Sequence, residues 1–214
     1  MVDKAKILQA VQTAIEKAPE RKFSESIDIT VNLKNIDMAQ PKNRIDETIL
    51  LPHGIGEKIE ICVIGKGDIV TQAKDAKVDL IIGPEEVERL GGAPREARKV
   101  ASTYRYFLAE MGVMPQVGRF LGPRLGPRGR MPMPIAGGTD IRPIVERLRK
   151  SVKIRTKDKM VFSTKVGSTG MKPEQIAENI EAIIKRIEAV LDQGPLNVRS
   201  VFVKTTMGPA VRVE

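Results

Sequence analysis

The sequence predicts two domains of different architecture: an α+β domain built from both ends of the chain, and an α/β domain inserted between them. Near the ends, apolar and polar residues alternate, as over Ser26–Leu33, which is typical of strands with one buried face. In the middle, short continuous apolar runs at 61–64 and 80–82 alternate with helix-like stretches, which is typical of a parallel sheet. A chain of 214 residues has room for two small domains.

Three elements are predicted ahead of the middle region. Apolar residues at helical spacing, among them Ile7, Val11 and Ile15, predict an amphipathic helix near the start of the chain. Strict alternation over 26–33 predicts a strand. The stretch from Pro41 to Gly56 is polar and contains several Pro and Gly, so we expect a loop or linker there.

The middle region predicts strands joined by helices. The runs at 61–64 and 80–82 are its first two strands, and Tyr104–Leu108 is a candidate for the third. The stretch Leu121–Arg130 is a tandem repeat of Leu-Gly-Pro-Arg, and its Gly and Pro predict that it lies outside regular helices and strands. Part of Arg142–Lys157 is predicted to be helical.

The last part of the chain returns to an α+β pattern. The strongest predicted helix begins at Pro173, after the poor N-cap Lys172, and Gly194 ends it. Strands are expected over Met160–Val166, Ser200–Thr206 and Ala210–Glu214. We therefore expect residues 1–56 and 157–214 to form one split domain, with residues 57–156 inserted. Two chain connections between such domains permit a hinge motion.

The charge of the chain indicates a polyanionic partner. Lys and Arg number 36 against 27 Asp and Glu, for a net charge of +9. Between Gly118 and Lys157 there are eleven Lys and Arg and two acidic residues, Asp140 and Glu146. With two Tyr, five Phe and no Trp, the chain does not have the composition of a protein that stacks several RNA bases on exposed rings.

Several classes of site and location are excluded by simple counts. Cys62 and His53 are the only residues of their types, so a cysteine-based zinc site, an intramolecular disulfide and a two-histidine cluster cannot form. We expect no metal site. No apolar run approaches the roughly 20 residues of a membrane-spanning helix. Charges interrupt the first ten residues, so we expect no signal peptide and a cytoplasmic location.

A nucleotide-binding role for the middle domain finds little support. Gly65-Lys66-Gly67 follows a buried strand, as in dinucleotide-binding turns, but Val70 stands where the third glycine would be. We favour an ordinary strand-to-helix turn and expect no cofactor. His53 lies between prolines and glycines in a loop, where a structural role is the commoner one.

Two segments are candidates for contact with RNA. The basic segment carries Arg119, Arg124, Arg128 and Arg130 without an acidic residue; phosphate binding and a merely solvated loop are equally good interpretations of its charge. In Ser200–Ala210, the hydroxyls of two threonines and the glycine that follows could meet a ribose or phosphate, but from composition alone a simple turn is favoured.

Taken together and in order, five segments resemble the ribosomal protein L-one family, in an archaeal-type variant. They are Lys22–Asp28, Leu51–Gly56, Leu121–Gly129, Ala177–Ala182 and Thr205–Pro209. The resemblance implies a split α+β RNA-binding domain from both termini, carrying an inserted Rossmann-like three-layer α/β domain. It also implies that the protein is not an enzyme and that the inserted domain binds no nucleotide.

The resemblance further implies a structural protein of the large ribosomal subunit. Its expected partners are large-subunit rRNA, where it forms the mobile stalk near the tRNA exit site, and tRNA, whose release it assists. Binding to its own mRNA and repression of translation are also implied. The RNA-binding residues that carry over are Lys22, Phe23, Glu25, Ser26, Asp28, Ser163, Lys165, Gly167, Thr205, Thr206, Met207 and Gly208.

Other possibilities stay open at this point. Arg119, Arg124, Arg128 and Arg130 are a possible second RNA contact, to rRNA or to tRNA. A nucleotide-dependent enzyme and a nonspecific binder of polyanions are the competing classes of function. We expect no membrane partner, and a monomer when the protein is off the ribosome.

Overall fold

A computed structural model describes residues 3–38, 40, 43–156 and 159–213. In chain order its elements are α1 Lys4–Glu16, β1 Ser26–Leu33, β2 Asp46–Leu50, β3 Ile61–Ile64, α2 Asp68–Asp75, β4 Leu80–Ile82, α3 Pro84–Gly92, α4 Pro94–Thr103, β5 Tyr106–Glu110, α5 Met114–Phe120, α6 Gly122–Leu125, β6 Met133–Ile135, α7 Arg142–Arg149, β7 Ser151–Arg155, β8 Val161–Ser168, α8 Pro173–Val190, the 3₁₀ turn Gly194–Asn197, β9 Val198–Thr205 and β10 Val211–Arg212.

The chain divides into two compact units. The terminal unit contains the described residues up to Glu57 and from Lys150 onward, and the inserted unit is Lys58–Arg149. The first has an antiparallel four-stranded sheet and the second a parallel one, which confirms the predicted mixture of α+β and α/β architecture.

In the terminal unit, the strand order of the main sheet is β10-β9-β1-β8. The helices α1 and α8 cover one face of this sheet. Alternation along β1 places Ile27, Ile29, Val31 and Leu33 on the covered face, where all four are buried. The other face, which we call the open face, carries the half-exposed polar residues of β1, namely Ser26, Asp28, Thr30 and Asn32.

A second, two-stranded sheet of the terminal unit was not predicted. β2 lies inside the stretch expected to be a loop, and it pairs antiparallel with β7 from Asp46↔Arg155 to Leu50↔Ser151. Only Ile49 of β2 is buried, so its sequence lacks a clear apolar alternation. The pairing also places β7 in the terminal unit, so the second chain connection lies at 149/150 and not at the expected 156/157.

In the inserted unit, four parallel strands lie in the order β4-β3-β5-β6. The four residues of β3 are fully buried, as expected for a strand covered on both faces. The third strand runs over Tyr106–Glu110, two residues later than expected. Phe107, Val117 and Leu125 belong to the apolar core that the helices α3 to α6 share with this sheet.

The Leu-Gly-Pro-Arg repeat contradicts its prediction in one part. Residues 122–125 form the short helix α6, with Pro123 in the first turn, where a missing N–H costs nothing, whereas residues 126–130 lie outside helices and strands as predicted. Buried Leu121 and Leu125 hold this helix on the core. Further on, Pro134 lies within β6, an edge strand, which is where a sheet tolerates proline.

The long helix α8 confirms its predicted start and its apolar stripe. It begins at Pro173, and the N-cap Lys172 makes no side-chain capping bond. Its buried residues are five isoleucines, Ala177 and one polar residue, Asn179.

Asn179 ties three separated segments of the terminal unit together. Its Nδ2 donates to the carbonyls of Gly54, at 2.7 Å, and Val166, at 2.9 Å. Its Oδ1 accepts from the backbone N–H of His53 at 3.1 Å. The amide is fully buried, so its loss would leave three backbone groups without partners.

We predict that Asn179→Leu lowers the free energy of unfolding of the terminal unit by about 2–5 kcal/mol, because three buried polar groups lose their partner. Urea unfolding followed by circular dichroism measures this. The control Lys185→Leu, on the exposed side of α8, should change stability by less than about 0.5 kcal/mol. Equal stability of the two variants would contradict the assigned role of the amide.

Arg130 fastens the end of α4 in the inserted unit. Its Nη1 lies 2.7 Å from the carbonyl of Ala101, and 2.9 Å from those of Ser102 and Tyr104. A guanidinium at a helix C-terminus satisfies carbonyls that have no partner within the helix. Burial, and then the charges of Arg105 and Arg128, lower the pKa of Arg130 from its ordinary value.

We predict that Arg130→Gln destabilises the inserted unit by about 1–3 kcal/mol, through loss of charged hydrogen bonds to these carbonyls. Both tyrosines of the chain, Tyr104 and Tyr106, belong to this unit, so tyrosine fluorescence during urea unfolding reports on it. The control Arg128→Gln removes the same charge from an exposed side chain and should leave the urea concentration at the midpoint of unfolding unchanged. If Arg130→Gln also left the urea concentration at the midpoint unchanged, the three hydrogen bonds would contribute no net free energy to stability.

Candidate nucleic-acid interface

One end of the main sheet brings three predicted segments together. β1 begins there, and β8 and β9 end there, so residues 22–26, 167–170 and 205–208 become neighbours. The backbone N–H of Thr169 donates to the carbonyl of Glu25 at 2.9 Å, and that of Thr206 donates to the carbonyl of Ser26 at 3.0 Å. We call these three segments the candidate interface.

Glu25 lies inside this cluster and not on its surface. The residue is 3% exposed, and its Oε2 accepts from the backbone N–H of Met207 at 3.3 Å. Its other oxygen, Oε1, makes no hydrogen bond and lies 3.9 Å from Nε of Arg21. In this structure the carboxylate therefore positions the 205–208 turn.

Thr205 and Gly208 shape the same turn. Thr205 is fully buried, and its Oγ1 accepts from the backbone N–H of Gly208 at 3.0 Å. A Cβ on residue 208 would collide with that hydroxyl and lie 3.5 Å from Ala18. Gly208 has no positive φ, so the position requires glycine for this close approach and not for its dihedral angles.

Gly167 also has a packing role. It is buried, and a Cβ there would lie 3.1 Å from Cγ1 of Ile176 at the start of α8. It directly follows a bulge in the pairing of β8 with β1, where Val166 has no partner opposite it. The absence of a side chain lets β8 run close under the helix.

The predicted residues that reach solvent at this end are chemically mixed. Phe23 and Met207 are 58% and 60% exposed, which is unusual for large apolar side chains. Lys22 and Thr206 are also exposed, and the Thr206 hydroxyl lies 3.2 Å from the carbonyl of Ser26. An ammonium, a hydroxyl and two apolar side chains thus reach solvent at this end of the sheet, where the glutamate is buried.

The other predicted residues lie along the open face. Asp28 stands in register between Lys204 and Lys165, and Lys165 forms an ion pair with Glu57 at 2.6 Å. This row of two cations and two anions is balanced in charge. In the next row, the hydroxyl of Thr30 lies 3.2 Å from that of Ser163.

Three residues of the site were missed by the sequence analysis. Thr169 accepts from the backbone N–H of Glu25 at 3.1 Å and lies 3.3 Å from the hydroxyl of Ser24. Lys204 shares the open face with Asp28. The polar positions of the alternating strands were the available signal for Lys204; nothing in the sequence pairs Ser24 with Thr169.

The loop that contains His53 has a structural role. Nε2 of His53 lies 2.6 Å from Oε2 of Glu178, and Nζ of Lys4 lies 3.1 Å from Oε1 of the same carboxylate. The hydrogen bond from His53, followed by that from Lys4, lowers the pKa of Glu178 from its ordinary value. These contacts, with those of Asn179, fix the loop against α8.

The arginines of the inserted unit have different surroundings. The guanidinium of Arg119 lies 5.6 Å from the ring centroid of Phe120, and Arg130 is held by the carbonyls at the end of α4. Arg128 is exposed and Arg124 is half-exposed. Arg119 is exposed as well, so Arg119 and Arg128 are the most accessible of the four to a phosphate.

The geometry offers no support for nucleotide chemistry. Oε2 of Glu110 accepts from the backbone N–H of Lys66 at 3.1 Å, which places a carboxylate where a phosphate would bind in the Gly65–Gly67 turn. Burial raises the pKa of the Cys62 thiol far above its usual range.

Among the described residues, no group of His, Cys, Asp and Glu is arranged to hold a metal ion. The described helices include none with the length and apolar character to cross a membrane.

The chain is similar over nearly its whole length to known ribosomal proteins. The model of the ribosomal protein L1p/L10e family matches residues 14–209. A large ribosomal subunit protein uL1 from Methanoregula boonei is 84% identical over 213 residues, covering 100% of both chains. Those from Methanoculleus marisnigri and Archaeoglobus fulgidus are 72% and 46% identical, covering 100% of this chain and at least 99% of their own. The chain therefore belongs to the ribosomal protein L1p/L10e family.

Proposed function

We propose that the protein is a structural component of the large ribosomal subunit that binds rRNA through the candidate interface. The observation that carries the proposal is the convergence of residues 22–26, 167–170 and 205–208 at one end of the sheet. The family's relatives are named as large-subunit proteins. Members of this family are ribosomal proteins, and the chain is not an enzyme.

The exposed groups of the candidate interface suit a folded RNA. The hydroxyl of Thr206, and beside the interface that of Ser163 on the open face, can bond to ribose 2′-OH groups or phosphates, and Lys22 can contact a phosphate. Phe23 and Met207 offer apolar surface to sugars or to an unstacked base. The missing side chain at Gly208 lets the RNA approach the backbone of the turn.

Buried groups give this surface its shape. Glu25 holds the backbone of Met207, Thr205 holds Gly208, and Thr169 holds Glu25. Because these bonds are made within the protein, little ordering is needed on binding, and less of the binding free energy is lost to conformational entropy. Asp28, balanced between two lysines, is placed to accept bonds from 2′-OH groups.

Several finer roles belong to the same proposal. In the cytoplasmic ribosome, the protein forms the mobile stalk near the tRNA exit site and assists release of deacylated tRNA. The candidate interface also binds the protein's own mRNA and so represses translation, since one surface can serve two similar RNAs. Arg119, Arg124 and Arg128 of the inserted unit make a second contact, to rRNA or transiently to tRNA. Off the ribosome the protein is a monomer.

Nonspecific binding of polyanions is the competing function. Its support is the net charge of +9. That charge alone would give affinity that falls steeply with salt and does not depend on the RNA. The row at Asp28, in which two lysines face two carboxylates, argues against nonspecific binding, because a surface that binds by charge alone would not place carboxylates beside its lysines.

We predict that Gly208→Val weakens binding to a large-subunit rRNA stalk fragment by about tenfold or more, because the new side chain displaces the Thr205 hydroxyl and breaks one hydrogen bond in the turn. Binding is measured to the fragment and to a shuffled RNA of equal length, at low and high salt. The control is Gly137→Val, where a Cβ meets no atom within 4 Å.

The wild-type protein should prefer the fragment at both salt concentrations, and the control should match it. Equal affinity of the wild type for the two RNAs, collapsing with salt, would reject specific rRNA binding. A wild type that prefers the fragment, together with an unaffected Gly208→Val variant, would move the RNA site away from the 205–208 turn.

A further inference from the structure

The open face continues beyond the candidate interface to a second surface of different character. At the opposite end of the strands, an open groove is lined by residues of β1, β9, β10 and the start of β8. The residues that matter here are Arg199, Phe202 and Arg212, with Asn32 and Ser200 beside them. We call this surface the distal groove. Its two arginines, Arg199 and Arg212, lie outside the segments that the sequence analysis and the family resemblance named as RNA contacts.

Strand register explains how the distal groove is built. Arg212 of β10 pairs with Phe202 of β9, which pairs with Thr30 of β1, which pairs with Ser163 of β8. The four residues therefore form one row across the open face. The row passes from the groove to Ser163, a residue of the proposed RNA-binding set.

A bulge brings the second arginine to the groove. Asn32 pairs with Ser200, but the next residue, Leu33, pairs with Val198, so Arg199 has no partner across the ladder. Such an extra residue bends a strand and re-aims a side chain. Arg199 is exposed and lines the groove together with Arg212.

The charge of the distal groove is uncompensated within the described chain. Arg199 and Arg212 form no ion pair with any described residue, and no described Asp or Glu lines the groove. This contrasts with the row at Asp28, where two lysines face two carboxylates. Two guanidiniums facing one groove without a carboxylate match an anion of more than one charge.

We propose that the distal groove binds a second stretch of the same RNA, with backbone phosphates on Arg199 and Arg212 and a sugar or base against the ring of Phe202. The proposal rests on the rRNA binding proposed above and extends it. Phe202 lies within β9, and Thr206 directly follows the end of that strand. The two residues are four positions apart, or about 13 Å, so one folded RNA can cover both surfaces.

An RNA fits this groove better than an acidic protein segment. The half-exposed ring of Phe202 lies between the arginines and Thr30, where a sugar or a base can pack against it. Nδ2 of Asn32 donates to the hydroxyl of Ser200 at 2.9 Å, which keeps a polar floor under the groove. The groove is also continuous with the candidate interface through the row of Thr30 and Ser163.

The test compares the wild type with the double variant Arg199→Gln/Arg212→Gln, and with Phe202→Leu, in binding to the rRNA stalk fragment over a range of salt. The control Lys6→Gln/Lys185→Gln removes the same charge from α1 and α8, which cover the opposite face of the sheet. Thermal unfolding of each variant verifies that it is folded.

We expect the double arginine variant to bind about tenfold or more weakly at physiological salt, through loss of charged hydrogen bonds. The slope of log K against log salt should become shallower by about 2, one for each phosphate contact. Phe202→Leu should weaken binding by about fivefold or more with an unchanged slope, because stacking does not release counterions. The lysine control should keep the wild-type affinity and slope.

Two results would overturn the distal groove while leaving the proposed function intact. One is a double arginine variant with wild-type affinity and slope; the other is a lysine control with the same losses, which would reduce the effect to net charge. The separate failure, in which the wild type itself does not prefer the fragment over a shuffled RNA, rejects rRNA binding as a whole. The proposal would also be rejected if an acidic peptide bound the groove while the double arginine variant kept the RNA affinity of the wild type.

Discussion

The surface of the terminal unit depends on the burial of one face of its main sheet under α1 and α8. Because side chains alternate along each strand, covering Ile27, Ile29 and Val31 leaves Asp28 and Thr30 on the opposite face. A shift of one residue in the register of β1 would reverse both sets. The apolar packing therefore fixes which polar groups reach solvent and in what order, although it touches none of them.

The regular parts of the fold were predictable because their signals are local. Each signal is contained in one short segment of the sequence. Examples are the alternation of β1, the apolar stripe of α8 and the buried apolar run of β3. β2 was missed because its stability comes from pairing with β7, about a hundred residues later, and not from its own pattern. The helix α6 was missed because its buried leucines outweigh the effect of its Gly and Pro.

The sequence named the residues of the candidate interface, but it did not show which of them are buried and which are exposed. The resemblance named Glu25, Thr205 and Gly167 beside Phe23 and Met207, and the structure separates the first three as buried from the last two as exposed. Burial depends on which segments meet in space, and the meeting of 22–26 with 205–208 is set by strand pairing over the whole chain. A bulge, such as the one at Arg199, has no sequence pattern of its own.

The central position of β1 has a consequence for synthesis of the chain. Both of its neighbours, β8 and β9, lie after the inserted unit, so β1 has no strand to pair with until about residue 168 has left the ribosome that makes it, and its second neighbour is complete only at residue 205. The inserted unit is one continuous segment and can fold as soon as it emerges. Throughout that interval the N-terminal segment exposes the apolar side chains of α1 and β1, and the main sheet cannot be completed before β9 and β10 have emerged.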